Sequence, residues 1–114
     1  MKILFVCSVN KQRSRTADDY LTPLNDDVEI ESAGTHIKSC FREGTNPLTD
    51  ELLEWADHVY VMEKCHLDII MKNSKNNHFK KITVLHIRDQ YEVGSKRLIE
   101  KLKEKLQDSN LILE

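Results

Sequence analysis

The sequence predicts an α/β fold: a three-layer sandwich in which a four-stranded parallel sheet, order 2-1-3-4, is covered by helices on both faces. Two observations carry this expectation. Four short apolar runs, at residues 2–6, 28–32, 58–62 and 82–87, alternate with stretches of helical character. Such alternation gives parallel strands joined by right-handed crossovers. The chain has 114 residues, enough for one modest core and too few for two, so residues 1–114 read as a single domain.

Each element follows from local chemistry. Residues 2–6 form a short buried strand, and a helix runs from Arg13 to about Leu21, ending near Pro23. The second strand spans 28–32 and leaves through Gly34. Pro47 suits the first turn of a helix reaching about Ala56, capped by Asn46 or Thr49. Leu52, Leu53 and Trp55 give that helix its core face. A third strand at 58–62 precedes a helix from Glu63 to about Asn73, and the polar, basic stretch 72–81 reads as a solvated loop. A fourth strand at 82–87 and a helix at 95–107 complete the series. Leu98, Leu102 and Leu106 are spaced for one apolar face of that helix.

The junction between the first strand and first helix reads Cys7-Ser8-Val9-Asn10-Lys11-Gln12-Arg13-Ser14. A cysteine, five intervening residues and Arg-Ser at such a junction describe an anion-binding loop with a nucleophile at its base. Backbone N–H groups of Ser8, Val9, Asn10, Lys11 and Gln12 would converge there, and the helix directs its positive end at the same point. That field favours the Cys7 thiolate, the reactive form. Arg13 offers a planar fork for two phosphoryl oxygens. Asn10 sits where a left-handed backbone is needed. In an open α/β sheet, ligands bind beyond the carboxyl ends of the strands at the switch point. Cys7, Ser32 and Asp89 all fall on that edge.

With Cys7, Asn10, Arg13 and Ser14 in place, the loop resembles that of the low-molecular-weight protein tyrosine phosphatases, whose usual form is Cys-x-Gly-Asn-x-Cys-Arg-Ser. Glu31-Ser32-Ala33-Gly34-Thr35 resembles the family's Ser-Ala-Gly-Thr segment, and Asp89-Gln90-Tyr91 stands where its Asp-Pro-aromatic acid loop would be. The resemblance covers nearly the whole chain and is closest to the short bacterial members. It implies a cysteinyl-phosphate mechanism. Cys7 attacks phosphorus, Arg13 and the loop N–H groups stabilise the transition state, and Asp89 serves as general acid and then base. Ser14 would bond the Cys7 sulfur, Asn10 and Ser32 would bond each other in support of the loop, and Tyr91 would form an aromatic wall. Phosphotyrosine protein is the implied substrate, and no cofactor is expected.

Three positions depart from the family pattern. Val9 replaces the loop glycine, Gln12 the second loop cysteine, and Gln90 the proline after the acid. A protective disulfide within the loop is therefore impossible, and the acid loop loses a rigid backbone angle. For Asp89 and Tyr91 the competing assignments are an ordinary turn residue and a surface ring; Glu92 is the next acid in line. Lys11 and Arg15 read equally well as anion-steering or solvated charges.

Composition narrows the classes further. A formal net charge of −2 gives no nucleic-acid footprint, and no apolar run approaches membrane-spanning length. Three cysteines without framework spacing suit a reducing cytoplasm. Cys40, Cys65 and His66 match no common zinc pattern, so no metal is expected. Two alternatives to a phosphatase stay open. An arsenate reductase-like enzyme would need two further relay cysteines, and Cys65 has no partner at short spacing. A non-hydrolytic phosphocysteine carrier would not need Arg13 with a facing acid.

Overall fold

The computed structural model describes residues 1–74 and 78–113. Four strands, β1 (Lys2–Cys7), β2 (Glu29–Gly34), β3 (His58–Val61) and β4 (Ile82–Val84), form one sheet in the order β2-β1-β3-β4. Every pairing is parallel. The fold class and strand order expected from the sequence are those observed. β1 sits between β2 and β3, and its Leu4, Phe5 and Val6 are wholly buried.

The side-chain period of two divides β1 between two cores. Ile3, Phe5 and Cys7 face a layer built with α1 (Arg13–Leu21) and α5 (Lys96–Lys105). Leu4 and Val6 face the layer of α3 (Asp50–Trp55) and α4 (Lys64–Asn73). Leu98, Leu102 and Leu106 are all buried, as their spacing predicts. Leu53 is buried, with Leu52 and Trp55 packed half-buried beside it. Truncating one such leucine to alanine costs about 2–5 kcal/mol.

The differences from expectation have local causes. The segment 35–46 carries a helix, α2 (Ile37–Glu43), which Gly44 ends in the left-handed region at φ 72°. Pro47 does not enter a helix; it bridges Gly34 beside the sheet. α3 starts at Asp50, where the Thr49 hydroxyl accepts the Leu52 N–H at 3.1 Å. β4 ends at Val84 because His86 adopts φ 58°, which turns the chain out of the ladder. Leu85 and Ile87 stay buried and still donate N–H bonds to Val61 and Met62. The expected loop at 72–81 falls partly on residues 75–77, outside the described residues; Lys72 and Asn73 belong to α4.

Candidate active site

All the anion-binding candidates meet at the carboxyl edge of the sheet. β1 ends at Cys7, the loop turns over Asn10 at φ 61°, and α1 begins at Arg13. The loop floors a cleft of about 270 Å³ lined by Cys7, Ser8, Val9, Lys11, Gln12 and Arg13, with Ser39, Arg42, Glu43 and Asp89 as walls. The 35–46 segment thus supplies a wall through α2.

The Cys7 sulfur lies 3.0 Å from the Ser14 hydroxyl and accepts the Asn10 N–H at 3.3 Å. Asn10 Nδ2 donates to Ser14 Oγ at 2.8 Å, which leaves the Ser14 hydrogen for the sulfur at 3.0 Å or the Ala33 carbonyl at 3.5 Å, the sulfur being the nearer acceptor. The Ser14 and Asn10 N–H contacts both hold the Cys7 sulfur at the base of the loop. The expected Asn10–Ser32 bond is replaced by a bridge. Asn46 donates its N–H to Asn10 Oδ1 at 3.2 Å and its Nδ2 to the Ser32 carbonyl at 2.7 Å. The Ser32 hydroxyl donates to Asp18 instead. The reason is Pro47, whose bridge to Gly34 brings Asn46 between the two residues. Gly34, register partner of Cys7, lies directly beneath the loop. A Cβ there would stand 2.7 Å from the Ser8 carbonyl oxygen, the Val9 carbonyl carbon and Cys40 Sγ. Cys40 is buried and donates its S–H to the Val9 carbonyl at 3.3 Å.

Arg13 is 2% exposed. Its Nη1 donates to Glu63 Oε2 at 2.6 Å and to the Ile87 carbonyl at 2.8 Å. The turn at His86 is what aims that carbonyl. With Nη1 held from behind, the rest of the guanidinium fork is left for the cleft. Asp89 Oδ1 lies 3.9 Å from Arg13 Nε, on an exposed loop. That loop is tied down without its proline, because Gly94 donates its N–H to the buried Thr16 hydroxyl at 2.8 Å.

Tyr91 does not line the cleft. Its ring packs half-buried against the α1/α5 core under Arg97, whose guanidinium carbon is 5.8 Å from the ring centroid. Lys11 lines the cleft and pairs with Glu43 at 2.9 Å, whereas Arg15 pairs with Asp19 on the α1 surface.

Glu63 and Thr16 are not picked out by sequence reasoning, which weighs His66 only as a metal ligand. Position offers a signal for Glu63, since it follows β3 on the same sheet edge. His66 is wholly buried. Its Nδ1 accepts the Glu63 N–H at 3.0 Å, and its Nε2 lies 3.0 Å from Ser8 Oγ. Burial, and then the Arg13 charge, hold its pKa down at about 4. Glu63, Cys65 and His66 bring possible metal-ligating atoms within 4.8 Å of one another. A cation there would compete with Arg13 for the Glu63 carboxylate and take a His66 nitrogen already bonded to the Glu63 N–H or to Ser8, so the set fits a metal poorly.

No protein-family model matches the chain, and no curated protein does. Solved structures match along nearly its whole length. The arginine phosphatase YwlE from Geobacillus stearothermophilus is 26% identical, covering 94% of this chain and 93% of its own, with a TM-score of 0.65. The tyrosine phosphatase Wzb from Escherichia coli K30, in complex with phosphate, is 23% identical over 94% of each chain, with a TM-score of 0.74. A low-molecular-weight protein tyrosine phosphatase from Bacillus subtilis is 23% identical over 96% of this chain and 99% of its own, with a TM-score of 0.64. The fold is that of the low-molecular-weight protein tyrosine phosphatases. Within that fold, the loop and Asp89 occupy the carboxyl edge of the sheet and share one cleft.

Proposed function

We propose that the chain is a cysteine-dependent phosphomonoesterase acting on phosphorylated protein. One observation carries the reading: Arg13, fixed from behind by Glu63 and Ile87, shares a cleft with the Cys7 sulfur and the Asp89 carboxylate. The reading assigns Cys7 as nucleophile, Arg13 as anion clamp and Asp89 as acid. The Cys7 thiolate attacks phosphorus, an S–P bond forms and the bond to the leaving oxygen breaks. Asp89 protonates that oxygen. Loop N–H groups and Arg13 hold the equatorial oxygens through the transition state. Asp89 then takes a proton from water, which attacks phosphorus and frees the Cys7 thiolate, assisted by Ser14.

This arrangement favours turnover over storage, because a carrier needs no facing acid. The arsenate reductase reading needs two relay thiols, yet Cys65 is exposed on α4 and Cys40 is buried against Val9. The unpaired cysteines suit a reducing compartment, and the proposal places the chain in the cytoplasm.

Phosphotyrosine is the leading substrate. A second reading, phosphoarginine, draws on the cleft walls. Among the described residues no aromatic lines the cleft, while the Glu43 and Asp89 carboxylates do. Carboxylates can receive a guanidinium group, and one of the similar structures is an arginine phosphatase. The test is phosphate release from matched phosphotyrosine and phosphoarginine peptides by wild type and Cys7→Ser. Faster release from the first supports phosphotyrosine, and the reverse order supports the second reading. Release that survives Cys7→Ser would overturn both.

A further inference from the structure

His66 and Ser8 are 58 positions apart, and their side chains meet at the rear of the loop. Ser8 lines the cleft, one residue after the nucleophile. His66 is wholly buried on the first turn of α4. Two hydrogen bonds at the imidazole decide where every hydrogen between them lies.

The Glu63 N–H points at His66 Nδ1 across 3.0 Å. A backbone N–H can only donate, so Nδ1 must offer a lone pair. A neutral imidazole carries one hydrogen, which then sits on Nε2. Nε2 faces Ser8 Oγ at 3.0 Å, so Nε2–H donates and the serine oxygen accepts. The serine's own hydrogen cannot point at His66. It must turn elsewhere, and Ser8 borders the cleft that holds the Cys7 sulfur and Arg13.

We propose that the Ser8 hydroxyl is a side-chain donor to a phosphoryl oxygen, added to the backbone donors of the loop, and that His66 is the positioning residue that fixes its direction. The inference rests on the reading of the cleft as a phosphoryl site. His66 does a second job through the same ring. Its Nδ1 holds the backbone of Glu63, whose carboxylate holds Arg13 at 2.6 Å. One buried ring therefore bears on two anion contacts of the cleft, Ser8 directly and Arg13 through Glu63. A hydrogen bond to a charged acceptor is worth enough for a change of about 10- to 100-fold in binding when it is lost.

The test combines inorganic phosphate titration with nitrogen NMR of His66, on wild type, Ser8→Ala, Ser8→Thr and His66→Gln. At neutral pH the ring should show its hydrogen on Nε2 and a bare Nδ1, whether or not the protein turns over. Ser8→Ala should weaken phosphate binding about 10- to 100-fold with the amide spectrum otherwise retained, and Ser8→Thr should restore it. His66→Gln, whose amide can still donate to Ser8, should fall between wild type and Ser8→Ala. Wild-type phosphate affinity in Ser8→Ala, or a hydrogen on Nδ1, would overturn the inference and leave the phosphatase reading standing. A wild-type protein that binds phosphate through Ser8 yet hydrolyses no ester would overturn the phosphatase reading alone. Failure of the wild type to take up phosphate would overturn both. Should His66→Gln not fold, the Ser8 pair and the ring spectrum decide.

Discussion

Glu63 accepts the Nη1 hydrogen of Arg13 at 2.6 Å across the sheet edge, one carboxylate holding a guanidinium that is 2% exposed. The pair is the hinge of the site's geometry, since it decides which edge of the guanidinium faces the cleft. Arg13→Lys should therefore lower kcat more than phosphate affinity. Lysine keeps the charge and loses the fork that follows the phosphoryl group into its transition state. Glu63→Ala should cost about 1.5–3 kcal/mol in denaturant unfolding, because Arg13 stays charged with only the Ile87 carbonyl behind it. Unchanged kcat in Arg13→Lys would place Arg13 outside the chemistry.

Cys7 should react with iodoacetate faster than Cys65 at neutral pH, and phosphate should protect it. Cys65 is the fair comparison, because it is exposed whereas Cys40 is buried. The Ser14 hydroxyl and the Asn10 N–H both face the Cys7 sulfur at the floor of the cleft. Cys7→Ser should abolish turnover and keep phosphate binding, since the loop backbone survives. Mass spectrometry of the labelled thiols decides the matter; equal labelling without protection would remove Cys7 as nucleophile.

Asp89→Asn should slow hydrolysis about 10²–10⁴-fold on esters with poor leaving groups. The loss should shrink on activated aryl phosphates, whose leaving oxygen hardly needs a proton. A plot of rate against leaving-group acidity measures this directly. A uniform small loss would demote Asp89 to a partner of Arg13, and Glu92 would be tested next.

Stability should fall as pH drops from about 6.5 toward 4. The native state keeps His66 neutral down to about 4, while the unfolded chain takes up its proton near the ordinary value of 6.5. Between those values the unfolded state binds more protons, so acid favours unfolding; above them His66 contributes no slope. Burial dominates the shift. Arg13 and His36 push in the same direction, and Glu63 and Asp89 oppose them. Urea midpoints measured across this window should slope in wild type and slope less in His66→Gln, where His58, also held down by burial, keeps a share.

Much of this was legible in the chain because it is local. Residues 2–14 announce strand, loop and helix through an apolar run followed by Cys7, Asn10, Arg13 and Ser14. α2 was not legible, because only Cys40 of its seven residues is fully buried and one position makes no period. β4 was overread, since Leu85 and Ile87 are as apolar as strand residues while His86 turns the backbone away. The Asn46 bridge and the His66 ring were hidden for a further reason. Their roles depend on which atoms face each other across 36 and 58 positions of sequence, and residue identity carries no such information.

Gly34 acts as a spacer of zero thickness. The loop backbone rests on its α-carbon, and the thiol of Cys40 closes the same space from another side. Carbonyl groups cannot swing aside as the tip of a flexible side chain can, so even one methyl would be absorbed by lifting the loop. The height at which the sulfur stands above the sheet is therefore set by an absent carbon atom. Height at the floor is depth at the mouth, and depth separates long phosphorylated side chains from short ones. A choice among substrates is thus written partly in a residue that lies outside the cleft altogether.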